Sequence, residues 1–172
     1  MTETADADPA PPRPGRPRPL RVCFVCTGNI CRSPMAEAVL RERLAAEGLA
    51  GRVLVDSAGT DDWHVGQPAD PRAVAALREA GYAPGAEGHA ARCFGASWFA
   101  RYDLVVALDR SHLRALRRLA PTREAADKVL LLRPDGSDVP DPYYGEDAGF
   151  AACLEIIEEA VPRLVGALRS AA

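Results

Sequence analysis

The sequence lacks any apolar run that approaches the roughly 20 residues a membrane-spanning helix needs. Its first residues also lack the apolar centre of a secretory signal peptide. Positive charge is not in excess, because 21 Lys and Arg against 24 Asp and Glu give a formal net charge of -3. We therefore expect a cytoplasmic protein that binds neither membranes nor nucleic acids. Any anion it binds must be held by a local cluster of donors.

Cysteines and histidines are too few and too scattered for a disulfide framework or a metal centre. Five cysteines is an odd number in a chain of 172 residues, so we expect reduced thiols. No second close cysteine pair accompanies Cys23 and Cys26, and the three histidines share no spacing with the cysteines, which predicts no metal. Positions three apart on a strand point to opposite faces, so Cys23 is predicted to be a core residue. We also expect Cys93 and Cys153 to be structural.

What the chain does have is the composition of one soluble globular domain, with 48% hydrophobic and 26% charged residues. Residues 1–19 contain six prolines between Pro9 and Pro19 and no large apolar side chain to bury. This composition predicts a disordered tail followed by a domain over residues 20–172.

From Leu20 onward, short apolar runs alternate with helical patterns. The predicted strands are 20–26, 52–59, 103–108 and 128–132, and the predicted helices are 34–48, 70–81, 111–119 and a C-terminal one through 150–168. Such alternation predicts a three-layer, doubly wound α/β fold with a four-stranded parallel sheet flanked by helices. Ligands bind such sheets at the carboxyl ends of the strands. Pro162 is expected to kink or shorten the last helix.

Capping residues mark the predicted helix ends. Ser33 before Pro34, and Asp70 before Pro71, each fit an N-cap followed by a proline at the first helical position. Asp109 is expected to start a helix rather than to act in catalysis. The first two helices are expected to stop at Gly48 and Gly81.

The first strand runs into the loop C-T-G-N-I-C-R-S, residues 26–33, where a helix opens. A C-x5-R pattern is weak by itself, but a loop between a buried strand and a helix N-terminus can curl its backbone amides around an anion. Positive charge beside Cys26 favours the nucleophilic thiolate, and the fork of Arg32 can hold two phosphoryl oxygens. Gly28 permits close approach, and Asn29 tolerates a left-handed backbone.

These residues resemble a known family. The stretch V-C-F-V-C-T-G-N-I-C-R-S-P-M-A-E-A resembles the signature of bacterial-type low-molecular-weight protein tyrosine phosphatases. D-P-Y-Y-G at 141–145 resembles the general-acid loop of that family. Residues 56–60 with 63–66 resemble its substrate-wall segment, and 89–92 resembles a further stretch. The resemblance covers the chain from Arg21 to its end.

The resemblance implies a protein-tyrosine phosphatase that works through a phosphocysteine, without a metal or other cofactor. Its implied partners are tyrosine-phosphorylated proteins, with phosphate or other oxyanions bound in the site, and we expect a monomer, with a weak dimer as the alternative. The implied catalytic residues are Cys26, Arg32 and Asp141. The implied phosphate-loop residues are Thr27, Gly28, Asn29, Ile30, Cys31 and Ser33, and the implied pocket residues are Trp63, Tyr143 and Tyr144.

Several roles stay open at this point. Asp138 is a rival carboxylate for the proton donor, and Ser33 can either cap the helix or donate a hydrogen bond to the sulfur of Cys26. Cys31 is either an inert packing residue or, as the resemblance implies, a reversible disulfide partner of Cys26.

Three other functions use the same anion loop. Thioredoxin-linked arsenate reductases need a relay of further cysteines, but Cys93 and Cys153 stand 60 positions apart. Protein arginine phosphatases have a threonine where this chain has Ile30. A non-catalytic phosphopeptide-binding domain would not need a nucleophile and an acid together.

Overall fold

The computed structural model describes residues 17–172. Residues 1–16 of the predicted tail lie outside this range. The strands are β1 Leu20–Cys26, β2 Val53–Gly59, β3 Leu104–Ala107 and β4 Val129–Leu131. The α-helices are α1 Arg32–Ala46, α2 Pro71–Glu79, α3 Arg110–Leu119, α4 Arg123–Asp127 and α5 Asp147–Ala171, and a 3-10 helix spans Ala96–Arg101. The strands form one parallel sheet in the order β2-β1-β3-β4.

Alternate residues of β1 enter two separate apolar clusters, one on each face of the sheet. Val22, Phe24 and Cys26 pack in the cluster that α1, α2 and α5 complete. Cys23 and Val25 pack in the other cluster, with residues of β3, the 3-10 helix, α3 and α4. A strand buried on both faces explains the continuous apolar run in the sequence. The three-layer α/β fold is confirmed, and Cys23 is a core residue as predicted.

Several helix ends differ from the prediction. The first helix begins at Arg32 with Cys31 at its N-cap and no side-chain cap, so the prediction that Ser33 is the N-cap is wrong. The helix begins two residues earlier than the Ser33–Pro34 pattern indicated, and the Ser33 hydroxyl bonds inside the site instead of capping the helix. The caps at Asp70 and Asp109 are confirmed. The last helix runs through Pro162 without being shortened.

The site position follows from the strand order. The chain passes from β1 to β2 on one side and later to β3 on the other, so the strand order reverses beside β1. In open α/β sheets this reversal leaves a crevice at the carboxyl ends of the strands. The 26–33 loop leaves β1 at this crevice. Among residues 17–172, no helix is long and apolar enough to cross a membrane.

Candidate active site

The phosphate loop, residues 26–33, is held in place by hydrogen bonds that neighbouring segments donate to its carbonyl oxygens. Oxygens turned outward leave the amide N–H groups on the inner side of the loop, which forms an anion-binding concavity. Glycine is required at position 59, where β2 passes the loop, because a Cβ there would lie 2.5 Å from the carbonyl oxygen of Thr27. The hydrogen bonds to the carbonyls run from the N–H of Thr60 to Cys26 (2.8 Å), from the N–H of Asp61 to Thr27 (3.0 Å), from Nε2 of His89 to Asn29 (2.7 Å) and from the N–H of Asp70 to Ile30 (2.8 Å).

Asn29 fixes the shape of the loop. Its φ of 58° is the left-handed conformation that the sequence predicted. Its side-chain amide donates to Oγ of Ser33 at 2.8 Å and to Oγ of Ser57 at 3.0 Å, and its Oδ1 accepts from the N–H of Arg92 at 2.9 Å. Asn29 is fully buried, so these bonds satisfy a side chain that has no access to water.

Ser33 contacts the sulfur of Cys26 directly. The distance from Sγ to Oγ of Ser33 is 3.0 Å, shorter than the 3.3 Å from the same hydroxyl to the carbonyl oxygen of Ala58. Asn29 already donates to this hydroxyl, so the one hydroxyl hydrogen is left for the sulfur or the Ala58 carbonyl oxygen, of which the sulfur is nearer. Of the two predicted roles for Ser33, the geometry supports the hydrogen bond to the sulfur.

Arg32 is buried at the first position of α1 and is anchored on one side of its fork. Nη1 donates to Oδ2 of Asp109 at 2.8 Å and to the carbonyl oxygen of Val139 at 3.0 Å. Burial opposes the charge, but the Cys26 sulfur and Asp109 outweigh it and raise the pKa of Arg32. A permanently charged guanidinium therefore lies beside the Cys26 sulfur.

Asp109 and His112, at the start of α3, were not predicted to belong to the site. Nε2 of His112 lies 2.8 Å from Oγ1 of Thr27, and Nδ1 lies 3.3 Å from Oδ1 of Asp109. Burial and Arg32 lower the pKa of His112 to about 4, so the ring is neutral near pH 7. Burial also opposes the charge of Asp109, yet hydrogen bonds from Ser111, His112 and Arg32 lower its pKa to about 2.

Asp141 lines the same pocket as Cys26 and Arg32. Its Oδ2 lies 3.6 Å from Nη2 of Arg32. The rival carboxylate Asp138 instead accepts from the backbone N–H of Arg110 at 2.9 Å and from its Nε at 3.2 Å. Those bonds hold Asp138 against α3, so Asp141 is the carboxylate that reaches the pocket.

Aromatic side chains form the upper wall of the same pocket. Trp63 is 68% exposed and Tyr144 88% exposed, while Tyr143 packs edge-on against Tyr144 with ring centroids 5.0 Å apart. The imidazole of His64, in the 63–66 segment that resembles the substrate wall, lies so close to Gly28 that a Cβ on Gly28 would be 2.7 Å from Cδ2 of His64. The residues lining the pocket are Cys26, Thr27, Gly28, Ile30, Cys31, Arg32, Trp63, His64, Asp141, Tyr143 and Tyr144. Asn29 and Ser33, although part of the loop, do not line the pocket.

All five cysteines are free thiols in the structure. Burial raises the pKa of Cys23, Cys31 and Cys93, and it raises the pKa of Cys153 to about 12. A thiol held protonated by burial is a poor nucleophile. Among residues 17–172, no three His, Cys, Asp or Glu side chains are grouped so that they could hold a metal ion. The pocket therefore offers one thiol beside an arginine, a ring of amides and a carboxylate, which can transfer a tetrahedral oxyanion to sulfur and back to water.

Comparison with known proteins agrees with this chemistry. The family model of the low molecular weight phosphotyrosine protein phosphatases matches residues 21–172. A low molecular weight protein-tyrosine-phosphatase of Streptomyces coelicolor is 59% identical over 156 residues, which cover 87% of this chain and 93% of that protein. The chain therefore belongs to the low molecular weight phosphotyrosine protein phosphatase family. The predictions of this family and of a protein-tyrosine phosphatase are confirmed.

Solved structures show the same fold. A protein tyrosine phosphatase from Entamoeba histolytica with Hepes in the active site matches with a TM-score of 0.83 at 32% identity, and the match covers 88% of this chain and 98% of that one. Wzb of Vibrio vulnificus in complex with benzylphosphonate matches with a TM-score of 0.75 at 30% identity, covering 84% of this chain and 96% of that one.

Proposed function

We propose that this phosphatase hydrolyses phosphotyrosine in proteins, with Cys26 as nucleophile, Arg32 as phosphate clamp and Asp141 as general acid and base. One observation carries the proposal. The Cys26 sulfur lies 3.0 Å from the Ser33 hydroxyl at the loop, and the Asp141 carboxylate lines the same pocket, 3.6 Å from Arg32. A phosphoryl group bound by the loop and Arg32 would have the sulfur on one side and the carboxylic acid on the other.

In the first step the thiolate of Cys26 attacks phosphorus. The bond from phosphorus to the phenolic oxygen breaks, and Asp141 gives its proton to that oxygen, so tyrosine leaves neutral. The loop amides and Arg32 stabilise the charge on the three remaining phosphoryl oxygens. The amides and Arg32 supply the positive charge that a metal ion supplies in metal-dependent enzymes, so the proposed mechanism requires no cofactor.

In the second step Asp141, now a carboxylate, takes a proton from water as the water attacks the phosphocysteine. The bond from sulfur to phosphorus breaks, and the sulfur leaves as a thiolate. The hydroxyl of Ser33 donates to that sulfur and stabilises the negative charge that returns to it. Phosphate departs and the enzyme is ready for another cycle.

The shape of the pocket supports phosphotyrosine over smaller phosphorylated side chains. A phosphate seated on the loop places its ester oxygen toward Trp63 and Tyr143, where a flat ring finds aromatic partners. Ile30 offers an apolar surface at the position where arginine phosphatases carry a threonine. We also propose a cytoplasmic enzyme that acts as a monomer in signalling. The free thiols support the compartment, because a reducing cytoplasm keeps Cys26 available for catalysis.

The test is hydrolysis of phosphotyrosine, phosphoserine and phosphoarginine peptides without metal and under reducing conditions. Wild type is compared with Cys26→Ser and with Cys93→Ser, which changes a half-buried thiol outside the pocket. We expect wild type and Cys93→Ser to cleave phosphotyrosine alone, Cys26→Ser to be inactive, and acid-quenched wild type to carry phosphate on Cys26. Phosphate trapped on another residue, preferred cleavage of phosphoarginine, or arsenate reduction without hydrolysis would contradict the proposal.

A further inference from the structure

The acid loop, residues 141–145, is exposed except for Pro142, and its position decides whether Asp141 reaches the leaving group. Within the loop, the N–H of Tyr143 donates to Oδ1 of Asp141 at 3.1 Å, and the N–H of Gly145 donates to the carbonyl oxygen of Pro142 at 3.0 Å. These bonds set the shape of the loop. They do not set where the loop lies relative to Cys26.

Arg72, on α2, donates two hydrogen bonds to the backbone of this loop. Its Nη1 donates to the carbonyl oxygen of Gly145 at 3.0 Å, and its Nη2 donates to the carbonyl oxygen of Tyr143 at 3.0 Å. The guanidinium also lies over the ring of Phe150, at 4.4 Å from the centroid. Two bonds from one rigid plane fix both the distance and the orientation of the loop.

Arg72 is itself fixed to the phosphate loop through Asp70. Nε and Nη2 of Arg72 donate to the two carboxylate oxygens of Asp70 at 3.0 and 2.9 Å, and these bonds lower the pKa of Asp70. The backbone N–H of Asp70 donates to the carbonyl oxygen of Ile30 at 2.8 Å. A continuous chain of hydrogen bonds therefore runs from the loop that holds Cys26 to the loop that holds Asp141.

We propose that Arg72 is a positioning residue for the general acid. It does not line the pocket; it places the acid loop so that Asp141 can protonate the leaving oxygen. This inference rests on the proposed function. It goes beyond that function by making proton transfer from Asp141 depend on a side chain of α2.

The role has a kinetic consequence that depends on the leaving group. Phenolate, the conjugate base of an acid with a pKa of about 10, needs a proton to leave, whereas the more stable nitrophenolate needs it far less. A displaced acid loop should slow the cleavage of phenyl phosphate and leave the cleavage of 4-nitrophenyl phosphate nearly unchanged. A variant that is merely destabilised would lose both activities in proportion.

The experiment measures kcat/KM for the two substrates, because this constant reports the steps up to transfer of phosphate to Cys26. Arg72→Met keeps an unbranched apolar side chain and removes the donors, while Arg72→Lys keeps the charge and loses the fork. Arg78→Met is the matched control, since Arg78 is on the same helix and pairs with exposed Glu87 at 3.3 Å. We expect Arg72→Met to lower kcat/KM about tenfold or more for phenyl phosphate and less than about threefold for 4-nitrophenyl phosphate, with Arg72→Lys intermediate and the control unchanged.

The decisive comparison repeats the substitution in an Asp141→Asn background. If Arg72 acts through Asp141, Arg72→Met should cause no further loss with phenyl phosphate once the acid is gone. Equal losses on both substrates, no loss at all, or a full further loss in the Asp141→Asn background would overturn the role of Arg72. A wild type that cleaves neither substrate would instead overturn the proposed function itself.

Discussion

The phosphate loop and the acid loop face the same pocket but are built in opposite ways. In residues 26–33 the carbonyls are bonded outward, the Asn29 side chain is satisfied within the core, and the Cys26 sulfur and Arg32 are almost fully buried. In residues 141–145 the side chain of Tyr144 is 88% exposed, and the backbone is tied to α2 through Arg72.

The difference follows from what each loop has to recognise. A phosphoryl group has one shape and charge, so a fixed set of donors matches it best. The protein around a phosphotyrosine varies, and an exposed aromatic rim can meet different sequences without disturbing the anion site. Substitutions in the first loop should therefore affect chemistry and stability together. In the second loop they should affect proton transfer or substrate binding alone.

The largest effect is expected for Arg32→Lys. A lysine keeps the charge but cannot bind Asp109, the Val139 carbonyl and two phosphoryl oxygens in one plane, so kcat/KM should fall about 10³-fold. Steady-state kinetics with phosphotyrosine measures it. Arg110→Lys, at a surface pair with Asp138, is the control, and its kcat/KM should stay near the wild-type value. A similar loss of kcat/KM in both variants would contradict the role of Arg32 in the pocket.

Next in size is Asp141→Asn, which should lower kcat/KM for phosphotyrosine about 10²-fold because the proton donor is lost. Asp138→Asn should change it less than about twofold, since Asp138 is bonded to Arg110 away from the pocket. The pair is measured with one substrate at one pH. Equal effects would show that the acid has been assigned to the wrong carboxylate.

Stability separates the two loops. Asn29→Ala leaves Ser33, Ser57 and the N–H of Arg92 without their buried partner, so the free energy of unfolding should fall by about 3 kcal/mol. Tyr144→Ala, at an exposed ring of the acid loop, should change it by less than about 0.5 kcal/mol. Urea denaturation of both variants tests this, and comparable losses would contradict the contrast between the loops.

The smallest effect concerns pH and His112. Its pKa is about 4 in the folded protein against an ordinary value of 6.5, so between these values the unfolded chain takes up a proton that the folded chain does not. Stability should therefore fall as pH falls through this window, by about 2 kcal/mol between about pH 7.5 and about pH 5. Asp109 adds its own loss only at lower pH, toward its pKa of about 2. Urea denaturation at the two pH values should show this loss in wild type and not in His112→Gln, and parallel losses would contradict it.

Local patterns were enough to predict the sheet and most of the site. The four strands, the caps at Asp70 and Asp109 and the left-handed Asn29 each follow from a few neighbouring residues. The 3-10 helix at 96–101 and α4 were not predicted, because such short helices do not show a helical repeat. The two roles of Ser33 could not be separated from the sequence, because its bond to the sulfur depends on how tightly the loop closes.

The site residues that the sequence did not predict are held by contacts between distant parts of the chain. Asp109 was predicted correctly as a helix start, but its bond to Arg32 joins positions 77 apart. It follows β3 at the same sheet edge as Cys26, and that placement is the one signal that could have identified it. Arg72 gave no such signal, since its partners in the acid loop are backbone carbonyls that any sequence supplies.

Because alternate residues of β1 pack in two different apolar clusters, the length of this strand cannot change freely. Inserting or deleting a single residue within Leu20–Cys26 would exchange the two faces of the strand, because side chains alternate with a period of two. Phe24 would turn toward the cluster built for Cys23, and the nucleophile would leave the face that α1 covers. Insertions in this chain should therefore be tolerated in the connections between elements, while the length of β1 is fixed by the chemistry at its end.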